Sequence, residues 1–358
     1  MNLGCPDWRI PEPEGWTWAP GVAVRARNPT RVLTVSGLNG HEVAVHVDNA
    51  GTDPAVLELI REEAGVYTPF AERTVAGAQD VVMSLDGLIP KRVGVHRLAV
   101  AAHDPNDPAN QDAPDVEVVV SLGRPVGLWE DAPGDGIDDV WLRAARVAAY
   151  AGAGAADAVA LVTALVRSLW TGIPRPKDGR RVRVRYGVTE RGDDQASRID
   201  LLYYLERLEG SKGFAALSLD CIGACGMVSL LATLLGADVT FSRLTVEVAG
   251  ERKPMVFRPH RVVGRPALSE QPYDFHWILV VEEGDDPLVV DAVLSFDNLE
   301  PGTVVRWSTY QTLAFAEVPE GLNLRAPPDS AQPEASVPPA RTPLAELEHR
   351  RWRNRRDA

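Results

Sequence analysis

The sequence predicts a multi-domain protein in which an N-terminal all-β sandwich precedes a C-terminal α+β domain. The chain has 358 residues, a length that suits two or three domains with sizeable cores. Between about 21 and 123, apolar residues alternate with polar ones or form short runs, whereas from about 138 their spacing becomes helical before strands return. The domain bounds that follow are listed in order: 1–20, an N-terminal arm; 21–125, the sandwich; 126–323, the α+β domain; 324–358, a Pro-rich linker and basic tail.

The N-terminal region has the pattern of an all-β sandwich that follows a short irregular arm. Its first twenty residues are rich in Pro and Trp, and we expect an irregular arm. The predicted sandwich strands are "RVLTV", "HEVAVHVDNAG", "AVLELI", "DVVMSL", "HRLAVAA" and "VEVVVSL", with turn residues between them. The segments "VHVDNAGTDPA" and "VGVHRLAVAAHDPNDPANQDAPD" resemble immunoglobulin-like modules, including the cell-adhesion-related CARDB type. That resemblance implies a binding or spacer module.

The second region begins with helical spacing and ends with strands. "DDVWLRAARVAAYAGAGAADAVALVTALVRSLW" predicts two helices that are interrupted near Gly152 to Gly154. "GRRVRVRYGV" predicts a basic edge strand or an ordered loop, and "ASRIDLLYYLERLEGSKGF" predicts another amphipathic helix. The later predicted strands are "VTFSRLTVEVAG", "FHWILVVEE" and "PLVVDAVLSFD".

Two cysteines lie on one predicted helix, in "LSLDCIGACGMVSLLATLLGADV". Asp220 is a suitable N-cap, and Gly236 is expected to stop the helix. Cys221 therefore falls in the first turn, where unpaired N–H groups and the helix dipole favour an anion such as a thiolate. Cys225, one turn later among small and apolar residues, is predicted to be a helix-packing residue.

A cysteine nucleophile needs a base, and His260 and His276 are the histidines that lie between Cys221 and the tail. His276 heads an apolar strand, and Asp291 lies on the strand that returns after the turn "EEGDDP". In an antiparallel hairpin these two positions are opposite or one diagonal step apart. A carboxylate there would hold the imidazole in one tautomer and stabilise its charged form.

Structural roles compete with catalytic ones for each of these residues. A cysteine at the start of a buried helix is commonly a core residue, and a histidine at a strand head is commonly a hydrogen-bonded structural residue. A zinc site from Cys221, Cys225 and a histidine is a weaker alternative, because the C-x-x-x-C pair has no second pair beside it. The sequence has no phosphate-binding or dinucleotide fingerprint, so we expect no cofactor and no metal.

The order of these residues resembles the transglutaminase-like superfamily of papain-like cysteine enzymes. The resemblance covers about 138 to 312, and it rests on Asp220-Cys221, "SLLATLLG", "VTFSRLTV", His276 and Asp291. It implies an α+β papain-like fold with Cys221 as nucleophile, His276 as base and Asp291 orienting the base. The implied reaction is acyl transfer from an amide or peptide bond of a peptide or protein substrate, through a thioester.

The resemblance also implies an oxyanion site, and here the chain departs from the family. The Cys221 N–H would be one donor, and a Gln or Trp would be the second, with Gln195, Trp170 and Trp277 as candidates. Ile222-Gly223-Ala224 follows the cysteine, and Ala292 stands where proline is common. A long segment, "GERKPMVFRPHRVVGRPALSEQP", is a candidate lid or specificity loop. These departures favour the alternative of an inactive scaffold that serves a structural or assembly role.

Composition limits the partners that we expect. A net charge of −13 argues against nucleic acid and anionic membranes as partners. There is no secretory signal, no apolar run long enough to span a membrane, and too few cysteines for a disulfide framework, so we expect a cytoplasmic protein. The oligomeric state is left open.

The C-terminal tail is expected to behave differently from the acidic body. The segment 326–343 is Pro-, Ala- and Ser-rich and is predicted to lack regular structure. The tip after it contains Arg350, Arg351, Trp352 and Arg353. This tip is either a solvated end or a segment that docks on an acidic surface of another copy or another protein.

Overall fold

The structure is a computed structural model in which the chain forms two compact units, Met1–Arg124 and Pro125–Ala358. The residues that it describes are 2–3, 7–9, 30–34, 40–48, 54–63, 66–104, 107–112, 116–124, 138–175, 180–187, 201–208, 216–297 and 299–325. Of the predicted linker and basic tail, 324–358, only residues 324 and 325 are described, and the rest lies outside the described residues.

The described secondary structure of the first unit consists of β-strands. They are β1 (Asn2–Leu3), β2 (Asp7–Arg9), β3 (Thr30–Thr34), β4 (Glu42–Asp48), β5 (Ala55–Glu63), β6 (Val66–Val75), β7 (Gln79–Ser84), β8 (Gly94–Asp104), β9 (Asp107–Asp112) and β10 (Val116–Ser121). One sheet has β4 at its centre, with β1 and β2 along one side and β7 along the other. The second sheet has the order β3-β10-β8-β5-β6, with β9 also paired to β8. All these pairs are antiparallel except β3 with β10.

The two sheets bury their apolar faces in one shared core. Alternate residues of β4, Val43, Val45 and Val47, belong to the same buried cluster as Leu57 and Leu59 of β5. This period-two burial is what the sequence pattern predicts for a sandwich. The immunoglobulin-like resemblance stays a prediction.

Two features of the first unit differ from expectation. The start of the chain is not wholly irregular, because β1 and β2 pair with β4 and satisfy backbone groups that would otherwise form an open edge. Strand β6 was not predicted from the sequence. Most of its described side chains are exposed, including that of Phe70, so the period-two pattern of a half-buried strand is obscured.

The second unit contains five described helices. They are α1 (Asp138–Ala151), α2 (Ala158–Thr171), α3 (Leu201–Leu208), α4 (Cys221–Leu234) and α5 (Trp307–Ala314). The predicted break between α1 and α2 is present, and the Asp157 carboxylate caps α2 by accepting the Ala160 N–H at 2.8 Å. Within the described part of the chain, no helix has both the length and the apolar character of a membrane span.

Strands of the second unit form several small sheets and one larger sheet. They are β11 (Ile173–Pro174), β12 (Arg181–Tyr186), β13 (Ala216–Leu219), β14 (Thr240–Val248), β15 (Glu251–Lys253), β16 (Met255–Phe257), β17 (His260–Val262), β18 (Arg265–Leu268), β19 (Gln271–Tyr273), β20 (His276–Glu282), β21 (Leu288–Val290), β22 (Leu294–Phe296), β23 (Val305–Arg306) and β24 (Leu322–Arg325). The larger sheet has the order β15-β14-β20-β21-β23, with β24 also paired to β14. The smaller sheets are β11-β12-β13, β18-β17-β22 and β16-β19.

The basic segment "RVRVRY" is an inner strand rather than an edge strand or loop. It forms β12, which pairs antiparallel with β11 and parallel with β13. Its alternation gives the strand one buried face, since Val182 and Val184 are buried whereas Arg181, Arg183 and Arg185 are exposed.

Helix α4 and the β20–β21 hairpin bring the candidate site residues into one region. The helix packs on α1, α2 and β20 and is buried on nearly all sides, as its almost unbroken apolar composition requires. Gly236 adopts a φ of 85° just after the helix, which is the expected helix stop. In the hairpin, Leu279 pairs with Val290, and β21 ends there. Asp291 therefore follows the strand directly instead of lying on it.

Candidate active site

Cys221 is the first residue of α4, and Asp220 fixes the start of the helix. The Asp220 carboxylate accepts the Gly223 N–H at 2.7 Å, and its main-chain carbonyl accepts the Ala224 N–H at 2.9 Å. At the first helical position, the Cys221 N–H has no carbonyl partner within the helix. The residue is 6% exposed and its thiol is free.

His276 and Asp291 form a buried pair beside this helix start. His276 Nε2 lies 2.7 Å from Asp291 Oδ2, and the exposed fractions of the two side chains are 0% and 1%. The other carboxylate oxygen, Oδ1, accepts the N–H groups of Val293 and Leu294 at 2.9 and 2.8 Å. Because Asp291 stands at a turn, its carboxylate is held rigidly by the backbone that follows it.

Tyr310 of α5 adds another hydrogen bond to this carboxylate. Its hydroxyl donates to Asp291 Oδ2 at 2.8 Å, and Tyr310 is completely buried. Burial, the Asp291 charge and this hydrogen bond raise the pKa of Tyr310 well above its usual value. Tyr310 therefore stays protonated and acts as a donor to the carboxylate.

The His276–Asp291 pair is charged. Burial alone would lower the pKa of His276, but the charge and hydrogen bond of Asp291, with a smaller contribution from Cys221, raise this pKa to about 10. Burial alone would raise the pKa of Asp291, but His276 and the N–H groups of Leu294 and Val293 lower it. Two opposite charges that are both desolvated stabilise each other strongly, provided that neither partner is lost.

The second ring nitrogen of His276, Nδ1, is buried, and no hydrogen bond of ordinary geometry reaches it within the described part of the chain. The Cys221 thiol lies near this ring, since a hydrogen bond and the charge of Cys221 both contribute to the raised pKa of His276. One imidazole nitrogen is thus committed to Asp291, and the other is free to exchange a proton with a nearby group.

The segment between β14 and β20, which the sequence indicated as a lid or specificity loop, folds into the short strands β15 to β19. Phe257 and Tyr273 from this segment present ring edges to His276, with centroids 5.3 and 6.2 Å away. His260 bonds elsewhere: its ring nitrogens contact the Arg258 carbonyl and the Tyr273 hydroxyl at 2.7 and 3.1 Å. It is therefore His276 that pairs with Asp291, and not His260.

Cys225 has a different environment from Cys221. Its thiol donates to the Trp277 carbonyl at 3.3 Å, it is fully buried, and burial raises its pKa well above the usual value. These contacts suit a packing residue. No group of three metal-ligating side chains occurs among the described residues, so Cys221 and Cys225 have no such set around them.

The candidates for a second oxyanion donor differ in whether their side-chain N–H group is already hydrogen-bonded. Trp170 Nε1 donates to the Ala292 carbonyl at 3.2 Å and is already engaged. Trp277 Nε1 is buried without a partner in the described part, and its ring packs on Phe241 with centroids 5.2 Å apart. Gln195 lies outside the described residues.

Sequence reasoning missed two tyrosines near the site. Tyr310 lies in a segment with no pattern that links it to the hairpin. Tyr186 ends β12 and pairs with Leu219, two residues before Cys221. Burial raises the pKa of Tyr186, and the charge of Cys221 raises it further, which indicates that the two side chains interact. The closeness of β12 to the cysteine depends on a parallel pairing that the sequence did not predict.

Comparisons with known proteins give limited information. No protein-family model matches the chain, and no curated protein sequence matches it. Among solved structures, the chain is similar to red sea bream transglutaminase, with a TM-score of 0.37 and 13% sequence identity. The match covers 74% of this chain and 49% of that one, so the chain spans about half the length of that transglutaminase.

Proposed function

We propose that the site performs cysteine-dependent acyl transfer on an amide or peptide bond of a peptide or protein substrate. The observation that carries this proposal is the buried His276–Asp291 ion pair. Asp291 engages only Nε2 of the imidazole, and Cys221, at a helix start, contributes a hydrogen bond and a charge to the raised pKa of His276. Such an arrangement can keep a thiolate beside an imidazolium. The motif order that resembles transglutaminase-like enzymes supports the same assignment.

In the proposed reaction the Cys221 thiolate attacks the substrate carbonyl carbon and forms a C–S bond. The resulting tetrahedral oxyanion collapses, the C–N bond breaks, and the leaving amine takes a proton from His276 Nδ1. Water or an amine then attacks the thioester and gives its proton to His276, and the Cys221 thiolate leaves. Asp291 holds the imidazole orientation and stabilises its charge in both half-reactions.

The oxyanion needs donors at the start of α4. The Cys221 N–H has no partner within the helix, so it is available. Tyr186 is our proposed second donor, because it pairs with Leu219, two residues before Cys221, and burial keeps its phenol protonated. Tyr186→Phe is then expected to slow acylation by about a hundredfold or more, as loss of an oxyanion donor does in other acyl-transfer enzymes.

The two-unit organisation suggests how this chemistry is used. We propose that the first unit is an immunoglobulin-like module that binds or spaces, and that the second unit has the papain-like fold of transglutaminase-like enzymes. The reducing cytoplasm is the compartment that we propose, because a free Cys221 thiol would persist there. We retain docking of the basic tip on an acidic protein surface as a proposal for residues 349–358.

Acyl-enzyme trapping tests the proposed function directly. The full chain is incubated with p-nitrophenyl acetate, quenched in acid and mapped by peptide mass spectrometry. We expect acetyl on Cys221, much less in His276→Gln, and full acetylation of Cys221 in the matched variant Cys225→Ser. An unmodified Cys221, with the same nitrophenol release in Cys221→Ser, would instead support the inactive scaffold.

A further inference from the structure

Arg243 lies beside the candidate site on the larger sheet. It pairs across β14 and β20 with Trp277, the residue after His276, and its guanidinium lies 4.5 Å over the ring of Phe275, the residue before His276. Phe275 is an exposed aromatic residue. The charge of Cys221 also acts on Arg243, although burial and the neighbouring Arg252 together lower the pKa of Arg243. A guanidinium thus lies beside the strand residues that flank His276, over an exposed aromatic ring.

Arg265 approaches the same region from β18. Its guanidinium lies 5.6 Å from the ring centre of Tyr186, which pairs with Leu219 just before Cys221. A Cβ placed on Gly187 would meet Ser218 Oγ at 2.6 Å and Arg265 Nη2 at 3.8 Å. The missing side chain at Gly187 therefore leaves room for Ser218, and Arg265 lies at ordinary contact distance from the same position, at the strand ends that lead into the helix start.

Neither arginine has a carboxylate partner in the part of the chain that the structure describes. Within the described residues, Arg243 and Arg265 take part in no ion pair. This is unusual in a chain of net charge −13, where carboxylates are in excess. A guanidinium presents donors in a planar fork that matches a carboxylate, and its neighbourhood here is aromatic rather than acidic.

The charges of the site leave room for an anionic ligand. A Cys221 thiolate, a His276 imidazolium and the Asp291 carboxylate sum to one negative charge. Two guanidinium groups bring the total to one positive charge, which a single substrate carboxylate would neutralise. We propose that the substrate carries a carboxylate next to the carbonyl that Cys221 attacks, and that Arg243 and Arg265 bind this carboxylate. The assignment rests on the proposed function of Cys221.

Two alkylating reagents of nearly the same size test this assignment. Iodoacetate carries a carboxylate beside its reactive carbon, whereas iodoacetamide is neutral. The rate constants for modification of Cys221 by each are measured on the full chain by peptide mass spectrometry. We expect the iodoacetate-to-iodoacetamide ratio to exceed that of the unfolded chain, and to fall by about threefold to tenfold in Arg243→Gln and in Arg265→Gln. High salt should also lower the ratio of the native protein.

Arg306→Gln is the matched control, because Arg306 is an exposed arginine of the same unit whose guanidinium bonds the Asp286 carbonyl. Its ratio should equal that of the native protein. Two results would overturn the carboxylate site and leave the proposed function standing. Equal slowing of both reagents in Arg243→Gln and Arg265→Gln would show that the arginines act only on the thiolate. Rate constants that stay at the native values for both reagents would show that the arginines have no role. Failure of Cys221 to react with iodoacetamide overturns both.

Discussion

The first and second units each contain a His–Asp contact of 2.7 Å, and the two contacts differ in their surroundings. His46 and Asp80 meet between β4 and β7, where their side chains are 58% and 82% exposed. His276 and Asp291 have exposed fractions of 0% and 1%. Water screens the first pair, whereas the second depends on its partners for solvation. Equal geometry therefore supports two different roles, and burial makes the second pair a candidate for chemistry.

Replacing the aspartate of each pair should show the largest difference between the two pairs in the free energy of unfolding. Asp291→Ala leaves the His276 imidazole buried without its carboxylate, and we expect it to lower the free energy of unfolding by about 3–5 kcal/mol. Asp80→Ala removes the same group from the exposed pair and should have an effect close to the error of the measurement. Urea unfolding of both variants at pH 7 checks this. Similar losses in the two variants would show that burial does not distinguish the pairs.

The pH dependence of stability should reflect the buried pair. The pKa of His276 is about 10 in the folded chain and 6.5 ordinarily, so the folded state keeps a proton that the unfolded chain releases. The stabilisation of the folded state by this proton is complete below pH 6.5 and is lost as pH rises toward 10. Over that range the folding equilibrium constant falls by up to about tenfold per pH unit. The pKa of Asp291 is lowered, so its contribution is present above its ordinary value of 3.8 and is lost as pH falls.

Urea unfolding across pH 2 to 10 measures both limbs. His276→Gln removes the titrating group and should flatten the alkaline limb. A profile of His276→Gln that parallels the native profile on the alkaline side would contradict the assignment of a charged imidazole.

Tyr310 provides a smaller test of the same pair. Tyr310→Phe removes the hydroxyl that donates to Asp291 Oδ2 and keeps the ring. We expect the free energy of unfolding to fall by about 1.5–3 kcal/mol, the usual range for a hydrogen bond to a charged group. Urea unfolding at pH 7 measures the loss, and no loss would mean that Asp291 does not need this donor.

Cys225 should give the smallest effect. Cys225→Ala removes a buried thiol that donates to the Trp277 carbonyl, and we expect a loss of about 1 kcal/mol. Alkylation of Cys221 should proceed in this variant as in the native protein. A variant that loses Cys221 reactivity would show that Cys225 takes part in the chemistry.

Local patterns were sufficient to predict much of this site. An Asp before a run of apolar residues predicts a helix start, so the position of Cys221 followed from its neighbours. The β20–β21 hairpin is also local, because its two strands are joined by a short turn. This is why the contact between His276 and Asp291 could be expected from sequence.

Other parts of the site come from pairings between distant segments. Tyr310 reaches Asp291 from α5, and Tyr186 reaches the helix start through the parallel pairing of β12 with β13. Arg265 comes from a segment whose short strands have no clear alternation. Such contacts depend on how sheets and helices pack together, and periodicity along the chain carries no information about that. For the same reason, β1 and β2 were not expected beside β4.

The central claim is that Cys221 is an activated nucleophile, and its alkylation rate at pH 6 tests this most directly. An ordinary thiol is almost entirely protonated at that pH, and Cys221 is only 6% exposed. We predict that iodoacetamide modifies Cys221 faster in the native protein than in the guanidinium-unfolded chain, and that His276→Gln slows the native rate by about a hundredfold. Slower modification of Cys221 in the native protein than in the unfolded chain, unaffected by His276→Gln, would contradict the claim.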